Sequence, residues 1–136
     1  MMRIALYILK YWLPPSLCMG LIFVLSSLSH PPSPDVSWEG IDKLFHFLAY
    51  AGLSFWVMRA FLSINQNISP HLPWVATILI VILYAASDEW HQLYVESRIP
   101  DIIDWIADCL GGLFGTLTMY IWHKLSKRFQ INRSII

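Results

Sequence analysis

Four long apolar stretches alternate with short polar links along this chain. They run from about Tyr11 to Leu28, Leu44 to Ile64, Leu72 to Leu93 and Ile102 to Trp122. Each is near the roughly 20 residues that an α-helix needs to cross a bilayer. Pro14 and Pro15 interrupt the first near its start, and the third is apolar only as far as Ala86 before polar residues take over. The first stretch has the charge of a signal peptide ahead of it, in Arg3 and Lys10. It is followed by Ser29-His30-Pro31-Pro32 rather than a small-residue cleavage site, so it reads as a span. The pattern predicts an all-α integral membrane bundle of four transmembrane helices, forming one domain over residues 1–136.

The polar positions within these stretches are not scattered. Asp42, His46 and Tyr50 recur every four residues and share one helix face. Asp88, Glu89 and Gln92 fall within an arc of about 100° near the end of the third stretch. Asp101, Asp104 and Asp108 open the fourth and lead into Gly111, Gly112 and Gly115 on the same narrow stripe. Gly111 and Gly115 form a GxxxG pair, which lets another helix approach closely. Asp108 lies about 9 Å below the start of its stretch, and Asp88 a similar distance from the end of its own. Three helices thus carry polar groups to one depth on one membrane side.

Charge sets the orientation. Arg3 and Lys10 precede the first span, Arg59 lies near the end of the second, and Lys124, Lys127, Arg128 and Arg133 follow the fourth. The loop from Ser29 to Ile41 has Asp35 and Glu39 but no lysine or arginine. The positive-inside rule therefore predicts an inner (plasma) membrane protein with both termini cytoplasmic and the acids near the outer face. The proline-rich first loop is expected to be extended, and the basic tail 124–136 to anchor at the membrane surface. Only 13% of residues are charged and the formal net charge is zero, which excludes nucleic acid as a partner class. Cys18 and Cys109 sit in separate apolar stretches and read as small core residues rather than a disulfide or zinc pair.

Ionisable groups in hydrocarbon persist when they face a bundle interior, pair, or meet a ligand. A purely structural network would have Lys43 and Arg98 neutralise the acids, with Gln92 and Tyr50 completing hydrogen bonds. Against those two cations stand Asp42, Asp88, Glu89, Glu96, Asp101, Asp104 and Asp108. The surplus must bind protons, a cation or a cationic ligand. The candidate site is therefore Asp42, Lys43, His46, Tyr50, Asp88, Glu89, Gln92, Arg98, Asp104 and Asp108, centred on Asp88, Glu89, Asp104 and Asp108. A divalent cation, if held, would sit on those four carboxylates, whose oxygens suit Mg²⁺, Mn²⁺ or Ca²⁺ better than zinc. His46 is a candidate proton shuttle or metal ligand, with a hydrogen bond to Asp42 or Asp88 the competing reading. Trp90 and His91 read as interface residues, and Phe45, Phe47, Phe55 and Trp56 as lipid-facing or core.

The ordered clusters resemble the VanZ-like membrane protein family. The resemblance rests on Leu25-Ser26-Ser27, Asp42-Lys43-x-x-His46-Phe47-x-x-Tyr50, Asp88-Glu89-x-x-Gln92, Arg98, Asp104 and the Gly111/Gly112/Gly115 run, and covers about residues 20–116. Asp108 stands where the family pattern usually has Asn, and Glu96-Ser97 where it has a Pro-Gly pair. The resemblance implies a small multi-helix membrane protein, in a family named for an accessory role in resistance to the glycopeptide teicoplanin. It implies no biochemical activity.

Three functions compete. The first is a non-enzymatic envelope protein that handles a lipid-linked, glycopeptide or cationic amphiphile at the outer leaflet. The second is a membrane-embedded hydrolase or transferase, in which paired carboxylates hold a metal or act as acid and base. The third is a proton-coupled transporter, which four spans without a repeated half would require a homo-oligomer to build. The acid surplus and its predicted exposure to the outside put the first ahead.

Overall fold

A computed structural model of the chain describes residues 1–30, 40–64, 69 and 71–133, with side chains as far as 128. The first loop's prolines, Asp35 and Glu39 fall in 31–39, outside the described residues, and so does Pro70. Five helices follow in order: α1 Met2–Tyr11, α2 Leu13–Ser26, α3 Ile41–Leu62, α4 Leu72–Gln92 and α5 Ile102–Arg133. Helices α3, α4 and the Ile102–Arg128 part of α5 are each long and apolar enough to cross a membrane. With α1 and α2 counted as one bent span, the total reaches the four expected.

That first span differs from expectation in a physically simple way. It starts at Met2 rather than near Tyr11, and bends by 46° where α1 meets α2. Pro14 and Pro15 have no N–H to donate to the carbonyls four residues back, so the helix breaks there and restarts with proline in its first turn. The carbonyl of Lys10, which residue 14 would have capped, instead accepts from Arg59 Nη1 at 2.9 Å. Helix α5 also exceeds its forecast. It continues past Trp122 to Arg133, so the basic tail is helical through that residue.

Helices α3 and α5 form the most closely packed pair in the bundle. The glycines of α5 explain the approach. A Cβ on Gly111 would collide with the Phe47 carbonyl of α3, and one on Gly115 with the Ala51 carbonyl and Ser54 Oγ. Gly112 faces the other way, onto the Val81 side chain of α4. The predicted stripe thus serves two helices. Within a bilayer, where apolar surface is already solvated by lipid, such close backbone contact is a main source of helix association. Ile22, Tyr50, Leu53, Val57, Val81 and Ala85 fill the core between α2, α3 and α4.

Contacts at the two ends fix the relative directions of the helices. Ser27, after α2, meets His91 near the end of α4, while Lys43 near the start of α3 meets Asp101 and Asp104 at the start of α5. At the other end, Tyr7 of α1 bonds Ser63 after α3, and Trp74 of α4 packs on Tyr120 of α5. All the acid-bearing helix ends therefore meet at one end of the bundle.

Candidate functional site

Helix α5 begins because Asp101 caps it: its Oδ1 accepts from the Ile103 N–H at 2.9 Å. That bond and the Lys43 ammonium hold the Asp101 carboxyl below the ordinary aspartate range. The cap also places the other two aspartates of α5. Lys43 Nζ lies 2.7 Å from Asp42 Oδ2, 3.0 Å from Asp101 Oδ2 and 2.8 Å from Asp104 Oδ1. One lysine thus gathers three carboxylates from α3 and α5.

One turn deeper the balance changes. His46 Nδ1 lies 3.0 Å from Asp108 Oδ1, and the Asp108 side chain is 0% exposed. His46 therefore meets α5, not the Asp42 or Asp88 partners named for it. Spacing could not distinguish Asp88 from Asp108, because that choice depends on which helix faces α3, while Asp42, on α3 itself, pairs with Lys43 instead. Glu89 Oε2 accepts from the Asp101 N–H at 3.0 Å, which ties α4 to the start of α5. Glu89 Oε1 and Asp108 Oδ2 are buried without a hydrogen-bond partner among the described residues. His46, Glu89 and Asp108 each offer a ligand atom, and these atoms lie within 4.8 Å of one another.

The four carboxylates predicted as a cation set do not gather as one. Asp104 turns to Lys43, and Asp88 lines a cavity among α2, α3 and α4. There the hydroxyls of Ser26 and Tyr50 are buried beside Asp88, close enough to feel its charge, but make no well-directed hydrogen bond. Gln92 is buried nearby. Arg98 is the second correction. Its Nε and Nη2 donate to the carbonyls of Leu28 and Leu25, at 3.1 and 3.3 Å, so it caps the end of α2 instead of pairing with an acid. Backbone acceptors leave no mark in a sequence, which is why this role was illegible.

The cavity beside this network measures about 540 Å³. Ile22, Leu25, Phe45, Leu48 and Ala49 form its apolar wall, so Phe45 does more than face lipid. Ser26, Asp42, His46, Tyr50, Asp88, Gln92 and Arg98 supply its polar lining. Ser26 stands out among residues not predicted for the site. It belongs to a motif quoted for the family resemblance, but a lone serine in an apolar helix carries no chemical signal. His91 bonds Ser27 Oγ at 3.0 Å and stacks on Phe23, so it joins helices as well as lying near an interface.

Helices of membrane-crossing length, joined at one end by a carboxylate network beside a mixed cavity, define a small helical membrane protein with a polar site at one end of its bundle. The family model VanZ/LLP1 matches residues 6–123, and the chain belongs to that family. No curated protein and no solved structure matches it.

Proposed function

We propose that the protein binds an envelope amphiphile in the cavity between α2, α3 and α4, with its apolar part on Ile22, Leu25, Phe45, Leu48 and Ala49. Its polar head, rich in hydrogen-bond donors, meets Asp88, Tyr50 and Ser26. The observation that carries this reading is the division of one cavity into an apolar wall and a polar end whose hydroxyls are unsatisfied. Buried polar groups left without partners are costly, and a ligand that supplies the missing bonds recovers that cost on binding. Ligand sites typically pair such an apolar lining with a few convergent polar groups.

In this reading the site lies at the outer leaflet of the cell membrane and both termini are cytoplasmic. The placement of Arg3, Lys10, Arg59, Lys124, Lys127 and Arg128 away from the acid end supports that orientation. An accessory part in resistance to a glycopeptide such as teicoplanin is one form this handling would take.

The test uses a fluorescent long-chain alkylamine, with the matching alcohol and alkyl phosphate, and the purified chain in non-ionic detergent. The amine should bind tightest, and Asp88→Asn should weaken it by about ten-fold, the worth of one charge-assisted hydrogen bond. Ala49→Trp, which fills the cavity from its wall, should abolish binding of all three. Equal binding of the three probes, unchanged in both variants, would exclude this cavity as the site.

A further inference from the structure

We propose that His46, Glu89 and Asp108 form a binding site for a borderline first-row divalent metal ion, with Zn²⁺ the best match. This goes beyond the amphiphile reading and does not depend on it. Three helices each contribute one residue, and the ligand atoms lie within 4.8 Å of one another. Zinc bonds of 2.0–2.2 Å to nitrogen and oxygen set tetrahedral ligands about 3.4 Å apart, a separation reached by small side-chain rotations.

A second observation points to a ligand independently of that clustering. Asp108 is fully buried and its Oδ2 has no partner among the described residues, where Glu89 Oε1 is likewise buried and bare. The nearest cation cannot serve them, because Lys43 is held by Asp42, Asp101 and Asp104. A proton shared between His46 and Asp108 would satisfy Oδ1 alone. It would leave both bare oxygens in a site where unpaired carboxylates are expensive. An ion in place of that proton answers all three groups at once.

The donor set also selects the metal. One imidazole nitrogen with two carboxylates suits zinc and its neighbours, whereas magnesium and calcium prefer oxygen alone. The Asp101 N–H bond to Glu89 Oε2 supplies the outer support that metal-bound carboxylates commonly have. Asp108 and Glu89 together carry the two negative charges that a dication needs. His46 also lines the cavity, so the ion's site adjoins it.

The experiment is metal uptake by the full-length chain in detergent, stripped with EDTA, equilibrated with micromolar Zn²⁺ and desalted before elemental analysis. The wild type should retain about one zinc per chain in the presence of excess Mg²⁺, while Asp108→Asn and His46→Gln should lose most of it. Glu96→Gln, an exposed acid at the same end of the bundle, should retain it. Should Asp108→Asn or His46→Gln fail to fold, His46→Cys loaded with Co²⁺ keeps the idea testable. With cobalt-loaded wild type as the reference for the native Cys18 and Cys109 thiols, a new thiolate-to-cobalt charge-transfer band appears only if residue 46 is a ligand. Absence of zinc from the wild type, equal retention by Asp108→Asn, or a cobalt-loaded His46→Cys without that band would each overturn the proposal.

Discussion

The two ends of the bundle treat their polar side chains differently. At the end remote from the acids, Arg59 Nη1 takes the Lys10 carbonyl that Pro14 leaves free, and its guanidinium lies over the rings of Tyr11 and Trp56 at 4.8 and 5.3 Å. Tyr7 bonds Ser63, whose hydroxyl also reaches the Ala60 carbonyl, and Lys124 sits over Tyr120. His123 Nε2 is an exception there, buried without a partner among the described residues. At the acid end, three carboxylates share one lysine, and Glu89, Asp108, Tyr50 and Ser26 each keep a buried atom with no partner among the described residues. Polar residues of membrane helices that finish on carbonyls and rings hold helices together. Those that converge and stay unfinished are where an outside partner is needed.

Removing one cation from each end separates these roles. Lys43→Met should have the larger effect, because it strands Asp42, Asp101 and the mostly buried Asp104 together. A loss of about 2–3 kcal/mol is expected, below the roughly 3–5 kcal/mol of a fully buried broken pair because Lys43 is 29% exposed. Unfolding in detergent at low and high salt measures it. High salt should recover part of the loss by screening the exposed acids, and a wild-type melting curve would mean that Lys43 does not hold the layer together.

Arg59→Ala should cost less, about 1 kcal/mol, for one carbonyl bond and two ring contacts. It leaves no acid behind, so its loss should be the same at low and high salt. A loss equal to that of Lys43→Met, with the same salt dependence, would erase the contrast between the ends. Neither variant touches the apolar wall of the cavity, and alkyl phosphate or alcohol binding by Arg59→Ala should match wild type.

Much of this was legible in the sequence because membrane helices announce themselves by length and by period. The starts of α4 and α5 follow from where hydropathy begins, and the shared face of Asp42, His46 and Tyr50 follows from four-residue spacing. Depth was legible too: Asp108 and Glu89 do meet His46 in one layer. Pairing was not. Whether His46 chooses Asp108 over Asp88 depends on the rotation of α5 against α3, which Gly111 and Gly115 set by admitting the Phe47 and Ala51 carbonyls. Arg98 and Arg59 were illegible for another reason, since both end on backbone carbonyls that any residue presents. Helix α1 carries Arg3 and Lys10, so its helical run lay outside the apolar window.

The smallest effect belongs to the acid end's backbone. Ser97 has φ 64°, the left-handed region, and no other non-glycine residue among those described has a positive φ. A side chain there costs of order 1 kcal/mol, which glycine avoids. The VanZ-like pattern quoted above has a glycine at this position, after a proline, where this chain has Glu96-Ser97. The strained residue immediately precedes Arg98, whose guanidinium must reach back to the Leu25 and Leu28 carbonyls of α2. Ser97→Gly should therefore stabilise the protein by about 0.5 kcal/mol, the relief of strain less the added freedom of the unfolded chain. Adding Arg98→Ala removes the tether that fixes the turn, and the gain from glycine should then shrink. A stabilisation that persists undiminished would show that the left-handed turn belongs to the end of α4 alone. A gain that disappears would show that the strain is the cost of aiming Arg98 at α2, and hence of closing the polar end of the cavity.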